Sequence, residues 1–464
     1  MKFTPRPYQN IALDFLAGED RCSLWAKMGM GKSVTTLSYL QTCYEHLGET
    51  APTLIIAPLR VARDTWVDET RKWDHLSGFE VAPILGTEKQ RLTALKKDVP
   101  AYTVNYEQLP WLAKTLGSKW RFGRVVADEA RRLKGYRTQQ GSQRAQALAG
   151  YAHRQVKHWI NLTGTPAANG LEDLWGQQWF IDGGKTLGPS FEAFKARWFS
   201  THSVDGKFSI LRPRPGANDE IQKLLASTCL TLDPKDWFNL KDPIVVDVPV
   251  KLPTKARKVY DQMEAESVAE IKDKGWIKAL SSGGKVGKAL QIASGAVYLD
   301  PEYHPAGTWE PIHDEKLSAL ESIVEESGGA AIMVAYHWKH DLARIMKTFP
   351  GAVDLATTAG LKAFKSGSVQ IGIGHALSVG HGIDGLQNVC NIIVFFSQDW
   401  NLDAYLQIIE RIGPMRQLQS GHDRDVWVYR IIADDTMDEV VVKKRNSKDD
   451  TQEALLKYLK RKHT

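Results

Sequence analysis

An α/β protein of two halves, each built on a parallel sheet, is the fold this sequence predicts, and three observations predict it. Short β-branched runs alternate with helical patterns along the chain. A glycine-containing loop of phosphate-binding type joins one such run to a helix. The alternation breaks once, from Leu232-Asp233-Pro234-Lys235-Asp236 to Pro243, before it resumes. At roughly 150 residues per domain, 464 residues suit about three structural units or two large ones. With 43% hydrophobic and 25% charged residues, the composition is that of a folded globular protein and excludes collagenous and disordered classes.

Taken in order, Arg6-Pro7-Tyr8-Gln9 precedes a helix whose apolar positions Ile11, Ala12, Phe15 and Leu16 share one face. The Gln9 amide can read both the donor and the acceptor on adenine's edge. The run Cys22-Ser23-Leu24-Trp25 then leads into Ala26-Lys27-Met28-Gly29-Met30-Gly31-Lys32-Ser33 and a helix. Gly29 and Gly31 let backbone N–H groups turn towards phosphates, with Met28 and Met30 beside them. Lys32 reaches the β- and γ-phosphates, and Ser33 offers a hydroxyl to Mg²⁺. Thr53 to Ala57 reads as the next strand.

The strand Arg124 to Ala127 ends in Asp128-Glu129-Ala130-Arg131. A carboxylate pair at the C-terminal end of a parallel strand suits nucleotide hydrolysis, with Asp128 holding magnesium through water and Glu129 polarising the attacking water. Trp159-Ile160-Asn161 leads into Leu162-Thr163-Gly164-Thr165-Pro166, whose small hydroxyl residues suit a report on the γ-phosphate, or a plain turn. Two stretches offer no strands and read as helical excursions, one at about 171–200 and one at about 254–295. The boundary falls near residue 240, giving units of 1–238 and 239–464. In the second, Ile244 to Val250, Ala331 to Ala335 and Asn391 to Phe395 are the strand candidates.

Other classes fall away. The chain opens without a leader-like apolar stretch, and apolar runs such as Ala330 to Tyr336 fall far short of the ~18 residues that span a membrane. Cys22, Cys43, Cys229 and Cys390 lie too far apart for a zinc site or a disulfide framework, so a cytoplasmic setting is expected. Trp66, Trp73, Trp175 and Trp179 sit at helical spacings and read as core rather than base-stacking residues. Of a net charge of +6, five units lie from Lys443 onwards, in a basic terminal helix that is either a solvated face or a polyanion contact.

These motifs together resemble the Snf-type branch of helicase superfamily two, the branch of the chromatin remodellers. Met28 to Ser33 resembles its first motif, Ile56-Ala57-Pro58 the next, Asn105-Tyr106-Glu107 the one before the carboxylates, and Asp128 to Arg131 the hydrolysis motif. In the second half, Val334-Ala335-Tyr336-His337, then Gly380-His381-Gly382-Ile383-Asp384-Gly385-Leu386-Gln387, are similar to the fourth and fifth motifs. Asp399-Trp400-Asn401, Gln407 with Glu410-Arg411-Ile412-Gly413, and Tyr429 to Ala433 with Thr436-Met437-Asp438-Glu439 resemble the closing signature. Ala26-Lys27 stands where remodellers have an acidic pair, and Arg131 replaces a histidine.

The resemblance implies two RecA-like lobes with helical protrusions that bind Mg·ATP and close on it. It places Tyr8, Gln9, Met28 to Ser33, Gly382 and Asp384 at the nucleotide, and Lys32, Asp128, Glu129, Arg411 and Arg416 in catalysis. It implies a nucleic-acid partner, double-stranded DNA above all, with protein partners supplying specificity and no membrane. The compact build and the Gly-His-Gly fifth motif are similar to motors of bacteriophages, which implies the cytoplasm of a bacterial host. A strand-separating DNA or RNA helicase, and a non-motor ATP switch for assembly, stay open as rivals. One slip from the pattern stands out: Pro414 occupies the position of the second motif arginine, and the next arginine is Arg416. Gly413-Pro414 is expected to end the helix of Arg411 in a turn that re-aims Arg416.

Overall fold

A computed structural model describes the backbone of residues 1–48, 50–139, 141–204, 208–266, 268–271, 275–278, 282–379 and 383–460; the side chains of 202–210, 267–283 and 450–464 lie outside the description. The chain divides into two compact units, Met1–Asn239 with Lys448–Thr464, and Leu240–Ser447. The basic end from Lys448, expected in the second half, therefore groups with the first unit.

The first unit holds β1 (Arg21–Ala26), β2 (Thr53–Ala57), β3 (Val81–Pro83), β4 (Ala101–Asn105), β5 (Arg124–Asp128), β6 (His158–Thr163), a hairpin of β7 (Phe199–Val204) and β8 (Phe208–Pro213), and β9 (Cys229–Leu232). Seven of these form one parallel sheet in the order β3-β4-β2-β5-β6-β1-β9. Every residue of β2 and β5 is buried, which is why residues 54–57 and 125–127 form short apolar runs. Chain order and sheet order differ in a useful way. They set β1, β6 and β5 side by side, so three motifs far apart in sequence emerge at neighbouring strand ends.

The second unit opens with β10 (Ile244–Val250), the edge of a parallel sheet, then carries hairpins β11 (Val268–Ile271) with β12 (Gly275–Lys278) and β13 (Ala296–Tyr298) with β14 (Trp309–Pro311). After them come β15 (Ala331–Tyr336), β16 (Val353–Asp354), β17 (Ile371–His375), β18 (Cys390–Phe395) and β19 (Trp427–Ala433), in the sheet order β10-β19-β18-β15-β17-β16. Part of the closing signature is structural here. Buried Asp438 pairs with fully buried Lys316 at 2.5 Å and accepts from the Ala433 N–H at 3.0 Å, fastening the last helix to the sheet.

The first insert is helical at Asp173–Asp182 and Phe191–Trp198, with β7 following from Phe199; only the second needs correction. The second has helices at Thr254–Glu266 and Ser282–Ser294 with the β11–β12 hairpin between them. Val268, Ile271, Trp276 and Ile277 have strand propensity, and Gly275 disfavours a continued helix; these runs of four are too short to break a helical pattern visibly. All four cysteines are buried free thiols. Among the described residues no helix is long and apolar enough to cross a membrane.

Candidate functional site

β1 ends at Ala26, and helix Lys32–His46 starts soon after it. Between them Gly29 and Gly31 take left-handed φ of 84° and 72°, which side-chain-bearing residues rarely adopt. Gly31 is doubly constrained, since a Cβ there would lie 2.5 Å from the Gln9 amide nitrogen. Met30 is buried and Met28 half-buried, so the loop is anchored by apolar contact while Ser33 stays partly accessible on the helix's first turn. Lys32 curls over its own loop, its ammonium donating to the carbonyls of Ala26 (2.5 Å) and Lys27 (3.3 Å). Lys27, one of the departures from the remodeller pattern, pairs with Asp233 just beyond β9 at 3.5 Å.

Asp128 closes β5, and burial raises its carboxyl above the usual range; the Lys32 charge, an indole N–H from Trp66 and the Glu129 N–H all oppose that rise. Trp66 donates to Oδ2 at 3.0 Å, Glu129 N–H to Oδ1 at 3.1 Å, and the Tyr106 hydroxyl to the Asp128 carbonyl at 2.8 Å. Glu129 itself sits at φ 57°, ψ 50°. A left-handed glutamate costs on the order of 1 kcal/mol, a strain found where a turn aims a functional group. Next to it Arg131 and Lys134 reach Asp173 at 3.8 and 3.1 Å, tying the carboxylate turn to the first insert.

The third motif lies against the phosphate loop. β6 pairs with β1, and a Cβ on Gly164 would meet the Ala26 carbonyl at 3.3 Å and the Lys27 Cα at 3.4 Å. Thr163 Oγ1 accepts from the Thr165 N–H at 3.1 Å. On the other side, buried Tyr8 packs on Trp237 and Phe238, with ring centroids 5.7 and 5.9 Å away, while the Arg6 guanidinium lies over Phe238 at 5.1 Å. Gln9 is buried with its carbonyl taken by the Arg6 N–H at 2.9 Å, and its amide points at Gly31. The first unit thus brings together Gln9, the loop, Lys32, Asp128 and the third motif.

Mg·ATP fits this set. Two left-handed glycines, a lysine and the N-terminus of a 15-residue helix suit a polyphosphate. Among the described residues no group of three or more His, Cys, Asp or Glu could hold a metal by itself. One hydroxyl and one carboxylate, the donor types that Ser33 and Asp128 offer, are a set Mg²⁺ can take when phosphate and water complete its shell.

In the second unit Arg411 lies on helix Leu402–Ile412, nearly buried, and donates to the Ile383 carbonyl at 3.0 Å. The helix ends at Ile412, Gly413 is extended, and Pro414 is the first residue of a new helix, Pro414–Gln419. The expected turn therefore forms. It brings Arg416 to Asp384, 2.8 Å from Oδ1. Burial pushes the Asp384 carboxyl up, but Arg416, the Gly385 N–H, the Gln387 amide and Arg411 hold it below the usual range. Gly382 and its neighbours 380–381 lie outside the described residues, as do Arg461, Lys462 and the side chains of Lys457 and Lys460.

Sequence reasoning missed Trp66 as a partner of Asp128, Asp233 as a partner of Lys27, and Trp237 and Phe238 behind Tyr8. Trp66 is core, as its spacing implies, and only its polar N–H hinted at more.

Comparison with known proteins places these motifs among relatives. A family model described as SNF2-related domain matches residues 8–283. The putative protein p41 of Acyrthosiphon pisum secondary endosymbiont phage 1 is 48% identical over 463 residues, covering 99% of each chain. Helicase SWR1 of Mycosarcoma maydis is 29% identical over 271 residues, a match that covers 53% of this chain and only 13% of that helicase. Among solved structures, a Sulfolobus solfataricus SWI2/SNF2 ATPase core in complex with dsDNA aligns over 98% of this chain and 94% of its own, with a TM-score of 0.44 and 21% identity.

Proposed function

The chain belongs to the SNF2-related family of helicase superfamily two ATPases, and from that premise we propose that it is an ATP-driven motor that translocates on double-stranded DNA. The observation that carries the reading is the meeting, at adjacent strand ends of one sheet, of Lys32, Asp128 and the Thr163-Gly164-Thr165 turn, with Glu129 held in a strained conformation beside them.

In this reading Lys32 and the loop's N–H groups grip the phosphates, and Ser33 and Asp128 hold Mg²⁺. When bound there, the cation would neutralise charge that develops on the phosphates. Glu129 orients the attacking water and takes its proton. Arg411 and Arg416, leaving the Ile383 carbonyl and Asp384, supply positive charge to the γ-phosphate, worth roughly 10³ to 10⁵ in rate in related NTPases. DNA is gripped chiefly through its phosphates, without sequence readout. Family membership and a phage relative that matches end to end support a motor at work in a bacterial host's cytoplasm; partner proteins would choose its task.

The test compares ATP turnover with duplex DNA, single-stranded DNA and RNA, and adds triplex displacement. Duplex stimulation with third-strand displacement supports translocation. Efficient unwinding of a blunt duplex points to a strand-separating helicase, and turnover indifferent to nucleic acid points to a switch.

A further inference from the structure

Beyond β2 the chain passes Pro58 into a π-helical turn, Val61–Thr65, and then helix Trp66–Lys72. Single π turns cluster at functional sites. This one delivers Trp66 to a fully buried position. Bulk alone would make Trp66 a core residue, and any large apolar ring would serve. Its indole does more, because Nε1 donates to Asp128 Oδ2 at 3.0 Å, a buried bond between residues 62 apart in sequence. The other oxygen, Oδ1, accepts from the Glu129 N–H.

A carboxylate's terminal torsion is broad and soft, so a buried Asp128 with one donor could still swivel. Two donors on different oxygens, one on the main chain and one on a rigid bicyclic ring packed in the core, fix the plane of the group. They also offset the cost of keeping a charged carboxylate out of water. We propose that Trp66 is a positioning residue for the magnesium ligand Asp128, holding the carboxylate in the orientation in which its remaining lone pairs meet the cation's water shell. The inference rests on the reading of Asp128 as that ligand. Hydrogen-bond partners of metal ligands commonly alter metal affinity about 10- to 100-fold when removed.

The experiment measures binding of a non-hydrolysable ATP analogue with Mg²⁺ and with EDTA, for the wild type, Trp66→Phe, Asp128→Asn, and a protein in which Trp66 is replaced by its benzothiophene analogue. Sulfur stands in that analogue where the N–H was, so packing is preserved if Phe leaves too large a void. The gain in affinity that Mg²⁺ confers should fall about tenfold in both Trp66 proteins, with the EDTA affinity unchanged. A purely structural tryptophan would move both affinities together or neither, and that result overturns the inference. If the Trp66 proteins keep the full gain while Asp128→Asn loses it, Asp128 is the ligand and Trp66 does not position it. If Asp128→Asn keeps the gain, the reading of the metal site has failed and the inference fails with it.

Discussion

The two units present their candidate catalytic groups in contrasting ways. In the first, the groups sit at the ends of neighbouring parallel strands and brace one another: Gln9 on Gly31, Gly164 on the phosphate loop, Trp66 and Tyr106 on Asp128. In the second, two arginines from either side of a helix break are engaged with their own unit, Arg411 on a backbone carbonyl and Arg416 on Asp384. On the function proposed above, the difference teaches that nucleotide binding would belong to the braced first unit, whereas Arg411 and Arg416 would have to exchange local partners for phosphate and so should appear in turnover rather than in affinity.

The largest expected effect is in the first unit. Glu129→Gln should bind ATP normally and lose hydrolysis by about 10³-fold or more, because only the base is removed; Lys32→Ala should weaken binding itself. Equilibrium binding and single-turnover rates read the two apart, and substantial turnover by Glu129→Gln would remove Glu129 from the chemistry.

The second unit carries its own weak point in acid. Burial lowers the pKa of His313 to about 4, its ring bonded to the Ile292 carbonyl at 2.9 Å with Arg344 and Lys316 nearby. The folded imidazole stays neutral while the unfolded chain takes a proton below its ordinary value near 6.5. Stability from this group is complete above that pH and is lost as pH falls towards about 4, by roughly 3 kcal/mol. Hydrogen-exchange protection of helix Glu315–Glu326 should decline across that window. A His313→Asn variant should decline less, and an equal decline would show that other groups govern acid sensitivity.

The arginines sharpen the contrast directly. Arg411→Ala and Arg416→Ala should each lower kcat at least ~10²-fold, about 2.7 kcal/mol at the transition state, with ATP affinity little changed. Near-normal DNA-stimulated turnover by Arg416→Ala would leave Arg411 to act alone, with the Asp384 pair purely structural.

What could be read from the sequence follows the same divide. Lys32, Asp128 and the glycine loop were legible because phosphate chemistry demands those residue types at short spacing beside a strand. So was the Gly413-Pro414 turn, since a proline ring constrains its own backbone. The bond from Trp66 to Asp128 was not, because a buried ring at helical spacing reads as core, and only the sheet order brings the end of β2 beside that of β5. The β11–β12 hairpin was hidden inside a pattern dominated by the helices around it. The Lys27–Asp233 pair depends on β9 returning beside β1 across some 200 residues, which no local pattern encodes.

The smallest expected effect concerns the basic end. Deleting Lys457 to Thr464 removes four cations, and the slope of log affinity for DNA against log salt should become shallower by about 0.9 for each phosphate that is no longer neutralised. An unchanged slope would make the segment a solvated face.

The central claim, a motor whose ATP turnover is driven by duplex DNA, is met most directly by steady-state ATPase rates of the full chain with equal nucleotide concentrations of duplex DNA, single-stranded DNA and RNA. The account predicts the strongest stimulation with duplex DNA. A rate that is the same with and without nucleic acid, or one stimulated most by RNA, would contradict it.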